Sequence, residues 1–587
     1  MMVNKWSSYD VNKVKCLNIM YYIIIFASCC IMVFFIQQKE GFHEDEIFSY
    51  GSSNYSKDNV FQPYGDKDYV GKTIDNEIIH TKNPFKNLFY FLAHPQTFME
   101  KLAEEEKNEV PVWKTKEEAK EYLAIQKNNV FNFLSVYINQ SRDVHPPLFY
   151  FLVHIFSILF FDKFSKYIIF ILNLLLFVGC CIILKKIMFK LNKSYLSIPV
   201  LIMYAFSMGA ISTVIFQRMY MLLTFFMLLY TYLMIIYLKE NHTTDKKFKS
   251  RLLITIILGF MTQYYFCVYA ICLFVLVGIV MYKKFKQVYK GQLKEQFKQV
   301  HNGQSKEQFK ELYNEQFKEL FKIHLKAAIL GIIIYPASIY HIFFSYRGTS
   351  AISKNFRINA FLKLACNAYG LSFIVGIILL IFFSIVSIYA LRRKNDNTIF
   401  ILQFSILCYI LIISKTSPYS DIRYIMGILP VIAIVACCAI DTISMNSKKE
   451  IITIFSAVVL VFSLYRACIQ KPEYLYSGYK NNIKIAKENS NLKFIYIEDN
   501  GFNHIQSMPE FMIYDKSLIL NVKKDELKYL KDNKELQYGK SFIVSIKRYM
   551  NTEEIIKEVT KLTQCSNYEL LIDGQDATQN VVYKVYK

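Results

Sequence analysis

Apolar runs long enough to cross a bilayer recur along this chain, separated by short polar segments. A helix rises about 1.5 Å per residue, so crossing the hydrocarbon takes about 20 residues with every backbone group paired internally. Runs of this kind predict spans at 17–36, 166–184, 195–216, 220–238, 326–345, 370–390, 397–414, 424–440 and 450–465. The run 252–282 is too long for one straight span. Basic segments flank it on both sides: Lys246, Lys247, Lys249 and Arg251 before, Lys283, Lys284, Lys286 and Lys290 after. Positive residues favour the cytosolic side, so this run must go out and return, with the turn expected at Thr262-Gln263-Tyr264-Tyr265. The run 146–161, PPLFYFLVHIFSILFF, cannot cross without placing Lys185, Lys186, Lys190 and Lys193 outside. It reads as a helix lying in the outer interface. With these two assignments the basic segments fall on one face. The pattern predicts a polytopic α-helical membrane protein of about 11 spans with outer juxtamembrane helices, its N-terminus cytosolic and its C-terminus outside.

Composition supports this class, with 53% apolar residues, 20% charged and a mean hydropathy of +0.23. A net charge of +22 would point to nucleic acid in a soluble protein. Here the Lys and Arg cluster between apolar runs, where they set orientation, and nucleic acid is discounted as a partner. The 13 cysteines include Cys29/Cys30, Cys180/Cys181 and Cys437/Cys438 inside apolar runs, with no CxxC or Cys/His zinc spacing. They read as packing residues. The first apolar run follows Lys13 and Lys15 and has no small-x-small cleavage site, which predicts a retained anchor in the cell membrane.

The expected organisation is a cytosolic N-terminus (1–16), a membrane domain (17–469) and an extracytoplasmic domain (470–587). The first outer loop covers 37–165, and its stretch 37–144 carries 13 Lys/Arg against 18 Asp/Glu. In the tail, FIYIE (494–498), SFIVSI (541–546) and VVYKVY (581–586) read as strands. DELKYLKD and TEEIIKEVTKL read as helices, so a small α/β domain is expected. The basic cytosolic loop 283–326 holds an internal repeat, KEQFK at 294–298 and 306–310 and NEQFK at 314–318. Its uneven spacing fits no solenoid, and it reads as an amphipathic linker near anionic lipid.

On this topology the outer ends of the spans collect polar residues from six segments: His43, Asp45 and Glu46; Asp143 and His145; Arg218 and Tyr220; Gln263, Tyr264 and Tyr265; Arg347; Lys415, Asp421, Arg423 and Tyr424. A carboxylate beside fixed cations at headgroup depth suits a reaction on a lipid-linked phosphate. A sugar on polyprenyl phosphate already carries a good leaving group. An acceptor hydroxyl can displace it if a carboxylate removes the proton and cations hold the departing phosphate, with no nucleotide or redox cofactor. Arginine suits the phosphate because its planar fork holds two oxygens and stays charged.

Plainer readings compete. Asp45 and Glu46 also fit the negative first turn of a helix, and His145-Pro146-Pro147 a helix start. Arg218 and Arg423 also fit snorkelling residues, and Tyr264, Tyr265 and Tyr424 an interfacial aromatic belt. His43 with Glu44, Asp45 and Glu46 has the donor types for a divalent metal, although adjacent ligands rarely converge on one ion. A transporter or flippase for lipid-linked sugars is the rival class. It predicts mid-span charges and broken helices in matching halves.

The motifs resemble C-type (GT-C fold) membrane glycosyltransferases, specifically the family 39 group of protein O-mannosyltransferases and their bacterial relatives, together with lipid A aminoarabinose transferases. The likeness rests on Asp45-Glu46 just after the first span, Asp143-Val144-His145-Pro146-Pro147-Leu148 ending the first outer loop, Arg218-Met219-Tyr220, and Arg423-Tyr424 entering a late span. It runs from about residue 17 to about 465, and no motif covers the tail. The resemblance implies transfer of a mannose-like hexose or an aminopentose from a polyprenyl-phosphate donor to a protein, wall polymer or lipid acceptor outside the cell membrane, as in protein glycosylation. Asp45 and Glu46 are then the catalytic acids, with Asp45 the base. From charge and shared membrane depth, Arg218, Arg423, Arg347 and Lys415 are expected to be donor-phosphate ligands, and His43, Asp143, His145, Tyr220, Tyr264, Tyr265 and Tyr424 are expected to contact substrate. Many relatives carry His or Lys at the outer bend where this chain has Gln263.

Overall fold

The computed structural model describes residues 8–58, 60–64, 110–239, 245–289, 306–345, 355–393, 397–443, 458, 461–462, 465, 469–531, 533–537, 541–575 and 579–587. Among these, 7 helices are long and apolar enough to cross a membrane: Leu17–Gln37, Tyr167–Lys190, Tyr220–Lys239, Tyr265–Lys283, Phe373–Arg392, Asn397–Thr416 and Met426–Ile443. Two bent helix pairs bring the number to 9 if each is one span. The chain is a polytopic α-helical membrane protein.

Hydropathy measures the length of an apolar run but not its straightness, and two expected spans are broken. The run 195–216 forms Ser194–Ala205 and Met208–Ile215, bent by 61°. Between them the Ser207 hydroxyl donates to Tyr204 O at 2.7 Å and accepts from Ala210 N at 3.1 Å, ending one helix and capping the next. The run 326–345 forms Glu315–Ile334 and Ala337–Phe343, bent by 104°. Pro336 stands at that break, where it offers no N–H and disfavours helical backbone at Tyr335.

The long run 252–282 divides where the sequence places its turn. Helix Lys246–Thr262 stops at extended Gln263, and a second helix begins at Tyr265. The Gln263 side chain accepts from Tyr264 N at 2.6 Å, which holds the corner. The run 146–161 contains the 12-residue helix Leu148–Leu159, too short to cross. The second and third repeat copies continue into one helix, Lys306–Ile334. The first copy, Arg347 and most of 450–465 lie outside the described residues.

The chain forms two compact units. One comprises Met1–Val33, Asn173–Ile215 and Met219–Pro472; the other comprises Phe34–Leu172, Phe216–Arg218 and Glu473–Lys587. The second contains a 6-stranded sheet in the order β1-β3-β2-β4-β6-β5, with β1 Lys114–Thr115, β2 Lys493–Glu498, β3 Lys516–Asn521, β4 Ser541–Lys547, β5 Asn567–Asp573 and β6 Asn580–Tyr586. The central β3-β2-β4 strands are parallel and buried almost throughout, as strands covered on both faces must be. Ile495, Ile497, Leu518, Val544 and Ile556 lie in their core. Among its described residues, 525–531, the stretch DELKYLKD forms no α-helix, contrary to its pattern. Asp525 takes a left-handed φ of 57°, which separates two short 3-10 turns, Val522–Lys524 and Glu526–Leu530.

Residues far apart in sequence complete this unit. Lys114–Thr115 pairs antiparallel with β3 at the sheet edge. His504 and Glu498 are buried together at 3.1 Å, and the other His504 ring nitrogen meets Phe61 O at 2.9 Å. Burial is the largest single influence and lowers the imidazole pKa, but the Glu498 charge, the hydrogen bond to Glu498 and the contact with Phe61 O together outweigh it and hold His504 above its ordinary value. On helix Glu44–Asn54, a Cβ added at Gly51 would come within 2.0 Å of the Tyr122 ring. Alanine favours a helix interior over glycine by about 1 kcal/mol. Gly51→Ala is nevertheless expected to destabilise by about 1–3 kcal/mol through overpacking, read as a lower thermal midpoint of the purified protein.

Candidate functional site

Helix Glu44–Asn54 begins in a capping box. His43 is extended, its Nδ1 accepts from Asp45 N at 3.1 Å, and the Glu46 carboxylate accepts from His43 N at 2.7 Å. The three acids of the first turn thus lie at the positive end of the helix dipole. This cap turns the His43 Nδ1 and the Glu46 carboxylate toward backbone N–H groups. Among the described residues no three His, Cys, Asp or Glu side chains gather as a metal ion would need.

Burial separates the two neighbouring acids. Glu46 is 0% exposed and accepts from Lys39 Nζ at 2.9 Å, His43 N at 2.7 Å and Gln217 N at 2.7 Å. Desolvation lowers the pKa of the buried Lys39 ammonium, and Glu46 works against that shift. Asp45, one residue earlier, keeps 23% of its side chain exposed.

Asp45 faces a fixed cation. Arg218 is 3% exposed, and its Nη2 lies 3.9 Å from Asp45 Oδ1. Its Nη1 donates to Ser49 Oγ at 3.1 Å and to the Tyr150 hydroxyl at 2.9 Å. The backbone that carries it is also pinned, because Gln217 donates from Nε2 to Lys166 O at 2.7 Å and accepts from the Tyr50 hydroxyl at 2.7 Å. Burial pushes the Tyr150 hydroxyl far above its ordinary pKa, with Arg218 opposing and Asp143 and Asp45 adding to the rise. One neutral hydroxyl therefore lies within electrostatic reach of Arg218, Asp143 and Asp45.

The segment Asp143-Val144-His145-Pro146-Pro147-Leu148 forms the corner between helices Phe133–Arg142 and Leu148–Leu159. His145 Nδ1 lies 2.9 Å from Asp143 Oδ2, and both side chains are partly exposed. The second unit thus brings His43, Asp45, Glu46 and Arg218 together and places Asp143 and His145 near Tyr150.

Other expected residues lie in the first unit. The Tyr424 ring meets Tyr220 at 6.4 Å, Tyr265 at 5.4 Å and Phe361 at 6.4 Å between centroids. Arg423 is buried, with its backbone N–H on Asp421 Oδ1 at 3.0 Å and its guanidinium 5.2 Å from the Tyr424 ring centre. The Lys415 ammonium lies 5.2 Å over Phe356. Tyr264 packs against Phe260 at 5.8 Å. Arg357 donates to Ser417 O and Pro418 O, both at 3.0 Å, which holds the loop between Lys415 and Asp421.

Ser49, Tyr150, Lys39 and Gln217 escaped the sequence reading. Ser49 had a signal, since it lies one helical turn after Asp45 and its hydroxyl donates to Asp45 O at 3.1 Å. Gln217 adjoins a motif arginine, and Tyr150 follows the double proline by one turn.

No family model matches the sequence, and no curated protein matches it. Among solved structures, ArnT from Cupriavidus metallidurans bound to undecaprenyl phosphate is similar, with a TM-score of 0.50 at 9% identity over 96% of this chain and 97% of that one. The chain shares the C-type glycosyltransferase fold. The apo form of that ArnT aligns with a TM-score of 0.41 at 10% identity, over 75% of this chain and 87% of that one. An Archaeoglobus fulgidus oligosaccharyltransferase in complex with zinc and sulfate aligns with a TM-score of 0.36 at 11% identity, over 73% and 63%. At 9% identity the likeness is one of fold, and side chains do not transfer with it.

Proposed function

We propose that this protein is a membrane glycosyltransferase that moves a sugar from a polyprenyl-phosphate donor to an acceptor at the extracytoplasmic face, with its N-terminus in the cytosol. The acceptor class is a protein, wall polymer or lipid. The observation that carries the reading is Asp45, a partly exposed carboxylate 3.9 Å from the buried guanidinium of Arg218. The fold supports it, since a protein of this fold was solved with undecaprenyl phosphate bound.

In this reading the acceptor hydroxyl approaches the anomeric carbon opposite the phosphate. Asp45 takes the hydroxyl proton as the new C–O bond forms. The bond from the anomeric carbon to the phosphate oxygen breaks, and its electron pair leaves with polyprenyl phosphate. A single displacement inverts the anomeric configuration. Arg218 receives the charge growing on the phosphate, and its bonds to Ser49 and Tyr150 hold the guanidinium in place beforehand. Glu46 and His43 orient the base through the helix cap, and Asp143 with His145 orients the acceptor. No cofactor enters these steps.

The donor-phosphate role rests on motif and charge for Arg423 and on charge for Lys415 and Arg347, and for Tyr220, Tyr264, Tyr265 and Tyr424 a role in packing the sugar or prenyl chain rests on aromatic character. Substitution tests each separately. Arg218→Ala is expected to weaken undecaprenyl phosphate binding by about 10- to 100-fold, the worth of hydrogen bonds to a charged group. A titration of the reconstituted protein with that lipid measures it, and unchanged affinity would remove Arg218 from the donor site. The function is tested by incubating membranes with radiolabelled polyprenyl-phosphate hexoses and aminopentoses and following label into product. Label that crosses the bilayer with no new glycosidic bond would replace the enzyme by a flippase, and a product of retained configuration by NMR would refute the single displacement.

A further inference from the structure

The support of the acid-bearing helix comes from the far end of the chain. Lys39 holds Glu46 at 2.9 Å and also donates to the backbone carbonyl of Tyr474. Its ammonium lies 5.5 Å over the Phe42 ring and 5.4 Å over the Tyr476 ring. Beside it, Glu40 N donates to Leu475 O at 3.1 Å. The Tyr474 ring stacks on Phe216 with centroids 3.9 Å apart and planes 15° apart, and it meets His43 edge-on at 6.3 Å. Phe216 immediately precedes Gln217, which is bonded to Glu46, and Arg218. One short stretch of the tail therefore touches the helix cap, the partner of Glu46 and the segment that carries the guanidinium.

Two further features show how closely this contact is fitted. Tyr474 and Tyr476 have φ values of 67° and 47°, a conformation that non-glycine residues adopt only where surrounding structure enforces it. A Cβ at Gly41 would come within 2.8 Å of Tyr479 Cβ and 2.9 Å of Tyr476 Cβ, so only glycine permits this approach of loop to tail. Asp45 lies in the first turn of its helix, where helices fray unless a cap and a neighbour restrain them.

We propose that residues 474–479 brace the first turn of helix Glu44–Asn54 and aim Asp45 at Arg218, with Tyr474, Lys39 and Glu46 as positioning residues. The inference rests on reading Asp45 as the base, and it adds that the tail is part of the catalytic geometry. A base displaced by about 1 Å loses about 100-fold in rate without any change in the donor's own contacts.

The test uses the full-length protein in lipid nanodiscs, with the labelled-donor assay and undecaprenyl phosphate as the binding probe. Tyr474→Ala removes the stacked ring at a partly exposed position. Lys39→Met combined with Glu46→Gln removes both charges, so no unpaired ion remains inside. Both variants are expected to lose about 10- to 100-fold in kcat while donor KM and undecaprenyl phosphate affinity hold. Tyr474→Phe, which keeps the ring, is expected to restore most of kcat. Wild-type kcat in Tyr474→Ala, with Asp45→Asn inactive in parallel, would overturn the brace and leave the base assignment standing. A fall in kcat matched by an equal fall in lipid affinity would also overturn it, because that marks a collapsed site. Full activity in Asp45→Asn would overturn both readings.

Discussion

Asp45→Asn is expected to lower sugar transfer by about 10²- to 10⁴-fold, the range that a positioned proton acceptor contributes. Asparagine has nearly the same shape, so the substitution tests chemistry with little change in packing. The capping bond at this position uses the Asp45 backbone N–H, which asparagine retains. Loss of one acid from the first helical turn costs about 0.3–1 kcal/mol, too little to unfold the protein. Undecaprenyl phosphate binding is expected to persist or tighten, because a negative charge 3.9 Å from Arg218 no longer competes with the phosphate. Initial rates with labelled donor, a thermal midpoint and a lipid titration on the same preparation separate these effects. A wild-type rate would show that another group takes the proton.

Lys39→Met alone is expected to destabilise the protein by about 3–5 kcal/mol, the cost of stranding one member of a buried ion pair. Glu46 is 0% exposed, so without Lys39 its carboxyl group would be left inside with only backbone N–H donors. The combined Lys39→Met and Glu46→Gln variant is expected to recover most of that loss, since neither side chain then carries charge. The difference between single and double variants, measured by thermal or denaturant unfolding in the same detergent, isolates the pair. Equal stability of all three proteins would mean that Glu46 reaches solvent when Lys39 is gone. The two expectations concern neighbouring acids and differ in kind, one on rate and one on stability.

Much of the fold was legible because a membrane span is a one-dimensional property. Length and polarity along the chain are enough to find it, and the basic flanks of 252–282 were enough to demand a turn near Gln263. Pro336 is a break signal within the sequence, since it lacks an N–H, but the apolar length of 326–345 by itself predicts one straight span. The serine cap at Ser207 carried no comparable signal. In the tail, β-branched runs marked β2, β4 and β6. The edge pairing of Lys114–Thr115 was invisible, because two residues have no pattern of their own.

The sequence by itself determined the membrane class, most of the spans, an acidic pair directly after the first of them and the motifs that resemble C-type glycosyltransferases. Only the tertiary structure decided that Glu46 is enclosed while Asp45 stays open, that Arg218 is held by Ser49 and Tyr150, and that Lys39 reaches a carbonyl 435 positions away. Local pattern encodes which face of a helix is apolar. Burial and pairing of a particular charge depend on what the distant chain lays against it, and that is settled only when the whole molecule packs.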